Sequence, residues 1–435
     1  MNVEEFKQYE INRREFLNSS AKNAAGMAAG VVGLGAVAKA ATSERVRVGV
    51  VGVRNQGKVL AKSLAEVSDV DVMALCDVDE SQLPIAAQAV RDVQGTTPRG
   101  ETDFRRLLDD RSLDAVVVAT PDHWHALMTI MACQAGKDVY VEKPVSHTFA
   151  EGQAMVAAAR RYRRVVQSGL QQRSGAHFPS AVALVQSGEL GRVRFAKAWT
   201  VHRRKPIGQR HDAPAPASVD YGMWLGPAPE RPFNPNRFHH NWHWFWDYGT
   251  GELGNWGVHM LDVARWGLGV ELPTRVAAAG GRFHVRADQE IPDTLSVDYA
   301  FGSATITWEH RLWSSHGLEG RSAAAAFYGD EGTLVVDRGG WKVYDRKDAL
   351  TADASELART HHRNFIDCIK TRAQPNADIE IGHVSSAICH LGNIAYRLGR
   401  DVTFDPDRMD FGDDDAANAL CRHEYRHPWK LPAVS

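Results

Sequence analysis

The segment Arg45-Val-Arg-Val-Gly-Val-Val-Gly52, with the turn Gly52-Val53-Arg54-Asn55-Gln56-Gly57 behind it, constrains this chain more than any other. A short β-branched run of that composition reads as a strand buried on both faces, as in a parallel sheet. A helical pattern through Leu60 and Leu64 follows the turn. Strand, glycine turn and helix in that order are the context a dinucleotide fingerprint requires, because free N–H groups at a helix start can bind a pyrophosphate. Arg54 replaces the middle glycine of the G-x-G-x-x-G pattern, so the turn alone is a weak signal.

The strands that follow strengthen it. Val70-Asp-Val-Met-Ala-Leu-Cys76 ends at Asp77, 25 residues after Gly52. A carboxylate there can accept hydrogen bonds from ribose hydroxyls and would repel a 2′-phosphate, whereas the Arg54 guanidinium could hold one. NAD is therefore the expected cofactor and NADP the alternative. Leu113-Asp-Ala-Val-Val-Val-Ala-Thr120 is a third buried strand, running into Pro121-Asp122-His123-Trp124-His125. His123 and His125 either pack beneath a nicotinamide or cap the next helix. A fourth strand, Asp138-Val-Tyr-Val141, delivers Glu142-Lys143-Pro144 to the carboxyl end of the sheet, where ligands of α/β folds bind.

At 435 residues the chain should hold two domains. Hydrophobic residues at 44% and charged residues at 24% are a globular balance, and a net charge of −2 gives no footprint for nucleic acid. The five cysteines are scattered without a CxxC pair, which suggests neither a zinc ribbon nor a disulfide framework. Residues 1–40 read as an address. Asn12-Arg13-Arg14-Glu15-Phe16-Leu17 precedes an uncharged run from Ala24 to Ala38, too short for a membrane span, with small-x-small cleavage sites at Ala36-Val37-Ala38 and Ala38-Lys39-Ala40. The arginine pair resembles a twin-arginine export signal, so the export machinery is an expected partner and the periplasm, or another exported location, the expected destination.

Taken together, Gly52 to Gly57, Asp77, Thr120-Pro121-x-His123-x-His125 and Glu142-Lys143-Pro144 resemble the Gfo/Idh/MocA oxidoreductases, in order and spacing from Arg45 to about Gly169. Downstream, Gln171-Gln172-Arg173-Ser174, Leu225-Gly226-Pro227, Phe233 to Phe238, Trp242 to Tyr248 and Glu424-Tyr-Arg-His-Pro-Trp429 resemble the exported branch of that family. The resemblance implies an α/β protein. A Rossmann domain with a doubly wound parallel sheet would occupy residues 41–168, and an α/β domain with a large open, mostly antiparallel sheet residues 169–435. It also implies a nicotinamide cofactor, expected to be tightly held, with Lys143 touching cofactor and substrate, and assembly of copies through the second sheet.

The stretch Gly249-Thr-Gly-Glu-Leu-Gly-Asn255-Trp-Gly-Val-His259-Met-Leu-Asp262 carries the substrate chemistry. The family pattern is Asp-x-x-x-His; here Asn255 stands in the aspartate position, four residues before His259, which is read as opening a helix. Residues so spaced share a helix face. Asparagine can hydrogen-bond a sugar hydroxyl but cannot take its proton, so that task falls to His259 with Lys143 assisting. Arg173, His243, Trp246 and Tyr248 are the further substrate candidates. Trp242, Trp244 and Trp246 either line a sugar pocket or belong to the core. His239, His240 and His243 lack a metal-ligand arrangement, and no metal is expected. Three functions fit these residues: net oxidation or reduction of a sugar, glycoside or polyol hydroxyl; a redox-neutral reaction with a trapped cofactor, either glycoside cleavage by oxidation and elimination or sugar–sugar hydride exchange; and a non-catalytic sugar or nucleotide sensor.

Overall fold

The computed structural model describes residues 45–348 and 350–434, so the export-signal reading lies outside the described residues. Two sheets organise the chain. The first has six parallel strands in the order β3-β2-β1-β4-β5-β6. They are β1 (Val46–Val51), β2 (Val70–Cys76), β3 (Arg99–Glu101), β4 (Ala115–Val118), β5 (Asp138–Val141) and β6 (Val166–Ser168). The valine-rich β1, β4 and β5 are buried almost throughout, as strands covered by helices on both faces must be. The order reverses beside β1, which pairs with β2 on one side and β4 on the other, and this opens a crevice at the carboxyl ends of the strands.

The second sheet, among the described residues, has nine strands: β7 (Phe195–Val201), β8 (Arg275–Gly281), β9 (Thr294–Ala300), β10 (Thr305–Arg311), β11 (Ala323–Tyr328), β12 (Thr333–Asp337), β13 (Gly340–Tyr344), β14 (Thr351–Asp353) and β15 (Val402–Thr403), in the order β14-β13-β12-β11-β7-β10-β9-β8-β15. Its centre is β7 (Phe195–Val201), parallel to β10 (Thr305–Arg311) and antiparallel to β11 (Ala323–Tyr328). β12 (Thr333–Asp337) and β13 (Gly340–Tyr344) form a hairpin across Arg338 and Gly339. The predicted fold class, a Rossmann sheet plus a mostly antiparallel open sheet, is what the chain adopts.

Later segments return to the first sheet. Helix Ala358–Thr371 places Phe365, Ile366 and Cys368 in the core beneath β1 and helix Gln56–Ala65. Helix Ile379–Leu398 is buried along most of its length and joins the two halves. Near the C-terminus Trp429 packs against Trp124, ring centres 4.9 Å apart, and Tyr425 donates to Glu151. All five cysteines are buried and unpaired. No helix among the described residues is long and apolar enough to cross a membrane.

Candidate active site

The crevice at the strand ends becomes a cleft of about 820 Å³, within the size range of small-molecule and cofactor sites. Its floor is the first sheet: Gly52, Arg54, Asn55 and Gln56 after β1, Asp77 after β2, Thr120 and Pro121 after β4, Glu142 and Lys143 after β5. Residues 238–240, 242–243, 250–251 and 255–256 close one side, with His259, Arg338 and the 355–358 segment.

The β1 turn is built for close backbone approach. Gly52 has φ of +82°, and a Cβ there would stand 2.7 Å from the Ala119 carbonyl oxygen. A Cβ on Gly57 would stand 1.8 Å from the Gly52 carbonyl oxygen, so only glycine lets helix Gln56–Ala65 start this close to the strand. Val53 and Gly57 shape the turn without lining the cleft: the buried Val53 donates its N–H to Asp77 Oδ2 at 2.8 Å. Asp77 Oδ1 accepts from Asp79 N–H at 3.0 Å, which fixes the carboxyl at the cleft edge. Burial, opposed by these two donors, pushes Asp77 up to about 6. A glycine cradle at a helix start and a carboxylate at the next strand end fit a dinucleotide, whose pyrophosphate Gly52 to Gln56 would hold and whose ribose Asp77 would bind.

Lys143 ends β5 on a cis bond to Pro144. Its Nζ donates to Asn255 Oδ1 at 2.8 Å and to the Asn255 carbonyl oxygen at 3.2 Å. Asn255 in turn donates through Nδ2 to Glu252 Oε2 at 3.2 Å, and Arg204 donates to the other Glu252 oxygen at 2.7 Å. Glu252 is fully buried, yet the His202 and Arg204 contacts outweigh burial and hold its carboxyl down at about 2. Burial lowers Lys143, with Glu142, Asp122 and Glu252 opposing and Arg338 reinforcing.

His259 does not open its helix. The helical stretch begins at residue 251 and runs through a π-helical turn, Leu253–Gly257, before the α-helix Val258–Leu268. The wider turn carries Asn255 and Trp256 beside the cleft. His259 lines the cleft with no hydrogen-bond partner for its buried Nδ1, and burial pushes it well below the usual histidine range, so the ring is neutral.

Several expected site residues lie elsewhere. Arg173 turns away from the cleft to form a buried, two-bond ion pair with Asp262, both contacts 2.8 Å, and stacks on Trp266. Trp246 lies under Arg397, and Tyr248 is fully buried against Trp224. Trp244 is likewise core, while Trp242, His239, His240 and His243 do line the cleft. His123 is buried behind the wall, 3.1 Å from the Trp224 carbonyl oxygen. His125 reaches the cleft, yet its nitrogens stand 2.7 Å from the Pro144 and 2.9 Å from the Thr120 carbonyl oxygens, so it braces two strand ends. Burial drives both histidines down to about 4. Among the described residues no group of three or more His, Cys, Asp or Glu is placed to hold a metal ion.

Four cleft-side residues carry no sequence signal of their own. Asp122 is fully buried, accepts from Thr250 Oγ1 at 2.8 Å, and is pushed by burial up to about 8. Glu252 and Trp256 sit within the Gly249–Asp262 stretch. Arg338 occupies the β12–β13 turn, where a charged residue reads as ordinary surface.

The family profile described as the oxidoreductase family NAD-binding Rossmann fold matches residues 46–170, and the one described as its C-terminal alpha/beta domain matches residues 194–431. The chain belongs to the Gfo/Idh/MocA oxidoreductase family and carries its NAD-binding domain. It is similar to the uncharacterized oxidoreductase YrbE of Bacillus subtilis, 25% identical over 300 residues, 68% of this chain and 74% of that one. A glycosyl hydrolase family 109 protein of Saccharopolyspora erythraea is 34% identical over 182 residues, but the match spans only 37% of this chain and 39% of the relative. The aldose-aldose oxidoreductase of Caulobacter crescentus shares the fold with a TM-score of 0.64, at 21% identity over 83% of this chain and all of that one.

Proposed function

We propose that this oxidoreductase acts on a CH–OH group of a sugar, glycoside or polyol, with NAD preferred over NADP. The observation that carries the reading is Lys143 Nζ, held 2.8 Å from Asn255 Oδ1 in the same cleft as the unpartnered His259. When bound, the nicotinamide supplies the acceptor or donor of hydride. The protein supplies position and proton transfer. Lys143, lowered by burial, takes the hydroxyl proton in the oxidising direction and returns it in the other. Asn255 aims the amine, and the neutral His259 donates its ring N–H to the oxygen of the same hydroxyl. This gives Lys143 the larger share of the proton transfer, because His259 is depressed too far to hold a proton near neutral pH. Trp242, His240 and His243 supply the flat and polar walls a sugar needs.

A second reading keeps these residues and has no net redox change. A hydroxyl is oxidised, the neighbouring C–H becomes acidic, the glycosidic bond is eliminated, and the carbonyl is reduced again after water adds. The family 109 relative supports it. So does export by the twin-arginine route, which we retain as a proposal from Arg13-Arg14, since a compartment without free NAD favours a cofactor that is trapped and regenerated. Assembly through the second sheet belongs to the same proposal.

The test is to purify the mature chain without added nucleotide, denature it and identify what is released by mass. Sugars and their glycosides are then offered to the NAD-loaded protein while nicotinamide absorbance and glycoside cleavage are followed. Reduction by a sugar supports the first reading, and cleavage without net reduction the second. A chain that binds neither nucleotide would overturn both.

A further inference from the structure

The cleft that holds Lys143 and His259 is also lined by an exposed guanidinium that no carboxylate among the described residues touches. Arg338 projects from the turn between β12 and β13 and lies over Trp256, its central carbon 4.8 Å from the ring centre. Among the described residues it donates no side-chain hydrogen bond and forms no ion pair. The nearby carboxylates are already committed. Asp337, its neighbour in sequence, is bound by Arg321 at 3.1 Å and by the Gly339 N–H at 2.8 Å. Glu142, the acidic group whose charge Arg338 feels, accepts from the Lys143 N–H and from Gln56 Nε2. Arg204, by contrast, forms an ion pair with Glu252 at 2.7 Å.

Arg338 stands beside the chemistry. It lines the same cleft as Lys143 and His259, and the Trp256 ring it covers lies 6.2 Å, centre to centre, from the His259 ring. A guanidinium held over an aromatic face keeps its planar edge of N–H donors free, and that edge matches a carboxylate in two parallel hydrogen bonds. We infer that the substrate is an acidic sugar or polyol, whose carboxylate is taken by Arg338 over Trp256 while one of its hydroxyls meets Lys143 and His259. The inference rests on the sugar-oxidising reading above and narrows its substrate class. The cofactor pyrophosphate is the other anion of this cleft. The glycine turn and helix start at Gly52 to Gln56 already provide for it.

The experiment compares matched neutral and uronate sugars, glucose with glucuronate and galactose with galacturonate, free and as methyl glycosides. Binding to the NADH-loaded full chain is read by tryptophan fluorescence, and turnover by nicotinamide absorbance with NAD. Wild type should favour uronates at least about tenfold. Arg338→Gln should remove the preference, Arg338→Lys should keep part of it, and NADH affinity should hold in both. Neutral sugars binding or reacting as well as uronates would overturn the acidic-substrate inference and leave the sugar reading standing. A loss of NADH affinity in Arg338→Gln as large as the loss of uronate affinity would assign Arg338 to the cofactor instead. If neither sugar class binds or reacts, the sugar reading itself fails and takes the inference with it.

Discussion

Asn255 stands between Lys143 and Glu252, accepting from the amine at 2.8 Å and donating to the carboxylate at 3.2 Å. An amide offers an acceptor on one side and a donor on the other, which an ionised carboxylate cannot. The family's aspartate at this position would set two carboxylates against each other beside a buried Glu252. The departure from the family pattern is thus matched by a carboxylate three residues earlier in the chain.

Asn255→Asp should therefore lower both melting temperature and turnover. Adding Glu252→Gln should recover part of each, with a coupling of about 1–3 kcal/mol in a double-mutant cycle of thermal or chemical unfolding. Strictly additive losses would show that the amide's two-sided role is not what selects asparagine.

Asp77 sets a pH dependence of cofactor choice. Burial raises its carboxyl to about 6, so it is charged above that pH and neutral below it. Repulsion of a 2′-phosphate should fade as pH drops. The ratio of NADPH to NADH dissociation constants is expected to fall several-fold from about pH 7.5 to about pH 5.5, and Asp77→Asn should flatten it. A constant wild-type ratio would exclude Asp77 from the discrimination.

Asp122 should shape stability. Its folded value near 8 exceeds the unfolded value near 4, so its contribution is complete below about pH 4 and is lost as pH rises toward 8. Asp122→Asn, which keeps a partner for Thr250, should show a flatter melting temperature between those limits and should exceed wild type at the alkaline end. Parallel curves for the two proteins would contradict this.

Arg173 is a structural residue by the same geometry. Breaking its buried pair with Asp262, through Arg173→Met, should cost about 3–5 kcal/mol in denaturant unfolding. KM measured well below the new transition should stay within a few-fold of wild type. A large KM increase at unchanged stability would return Arg173 to the substrate pocket.

The contrast between Arg173 and Lys143 shows what sequence could and could not disclose. Gly52, Asp77, Thr120 and Lys143 each sit where a short buried strand ends, and in a parallel sheet all strand ends converge on one crevice. Their meeting in one cleft could be placed from local pattern alone. Arg173 could not, because its partner lies 89 residues away and nothing local says whether a guanidinium faces a cleft or folds back. The aromatic run from Trp242 to Tyr248 failed similarly: a 3₁₀ turn over His239–Trp244 sends Trp242 and His243 to the cleft, while Trp244 and Tyr248 enter the core. Alternation of residue types cannot separate those outcomes. The π-helical turn under Asn255 was invisible for the same reason, since a 3.6-residue period predicts the same face for positions 255 and 259 either way.

Proton transfer by Lys143 is tested most directly by single-turnover reduction of bound NAD, followed across pH in wild type and Lys143→Met with a sugar that reacts. The wild-type rate should rise through an apparent pKa below that of an ordinary lysine. Lys143→Met should lose that limb and about 10²–10⁴ of the rate, a loss far larger than any change in its NADH affinity. A Lys143→Met protein that keeps the wild-type rate and pH profile would contradict the account.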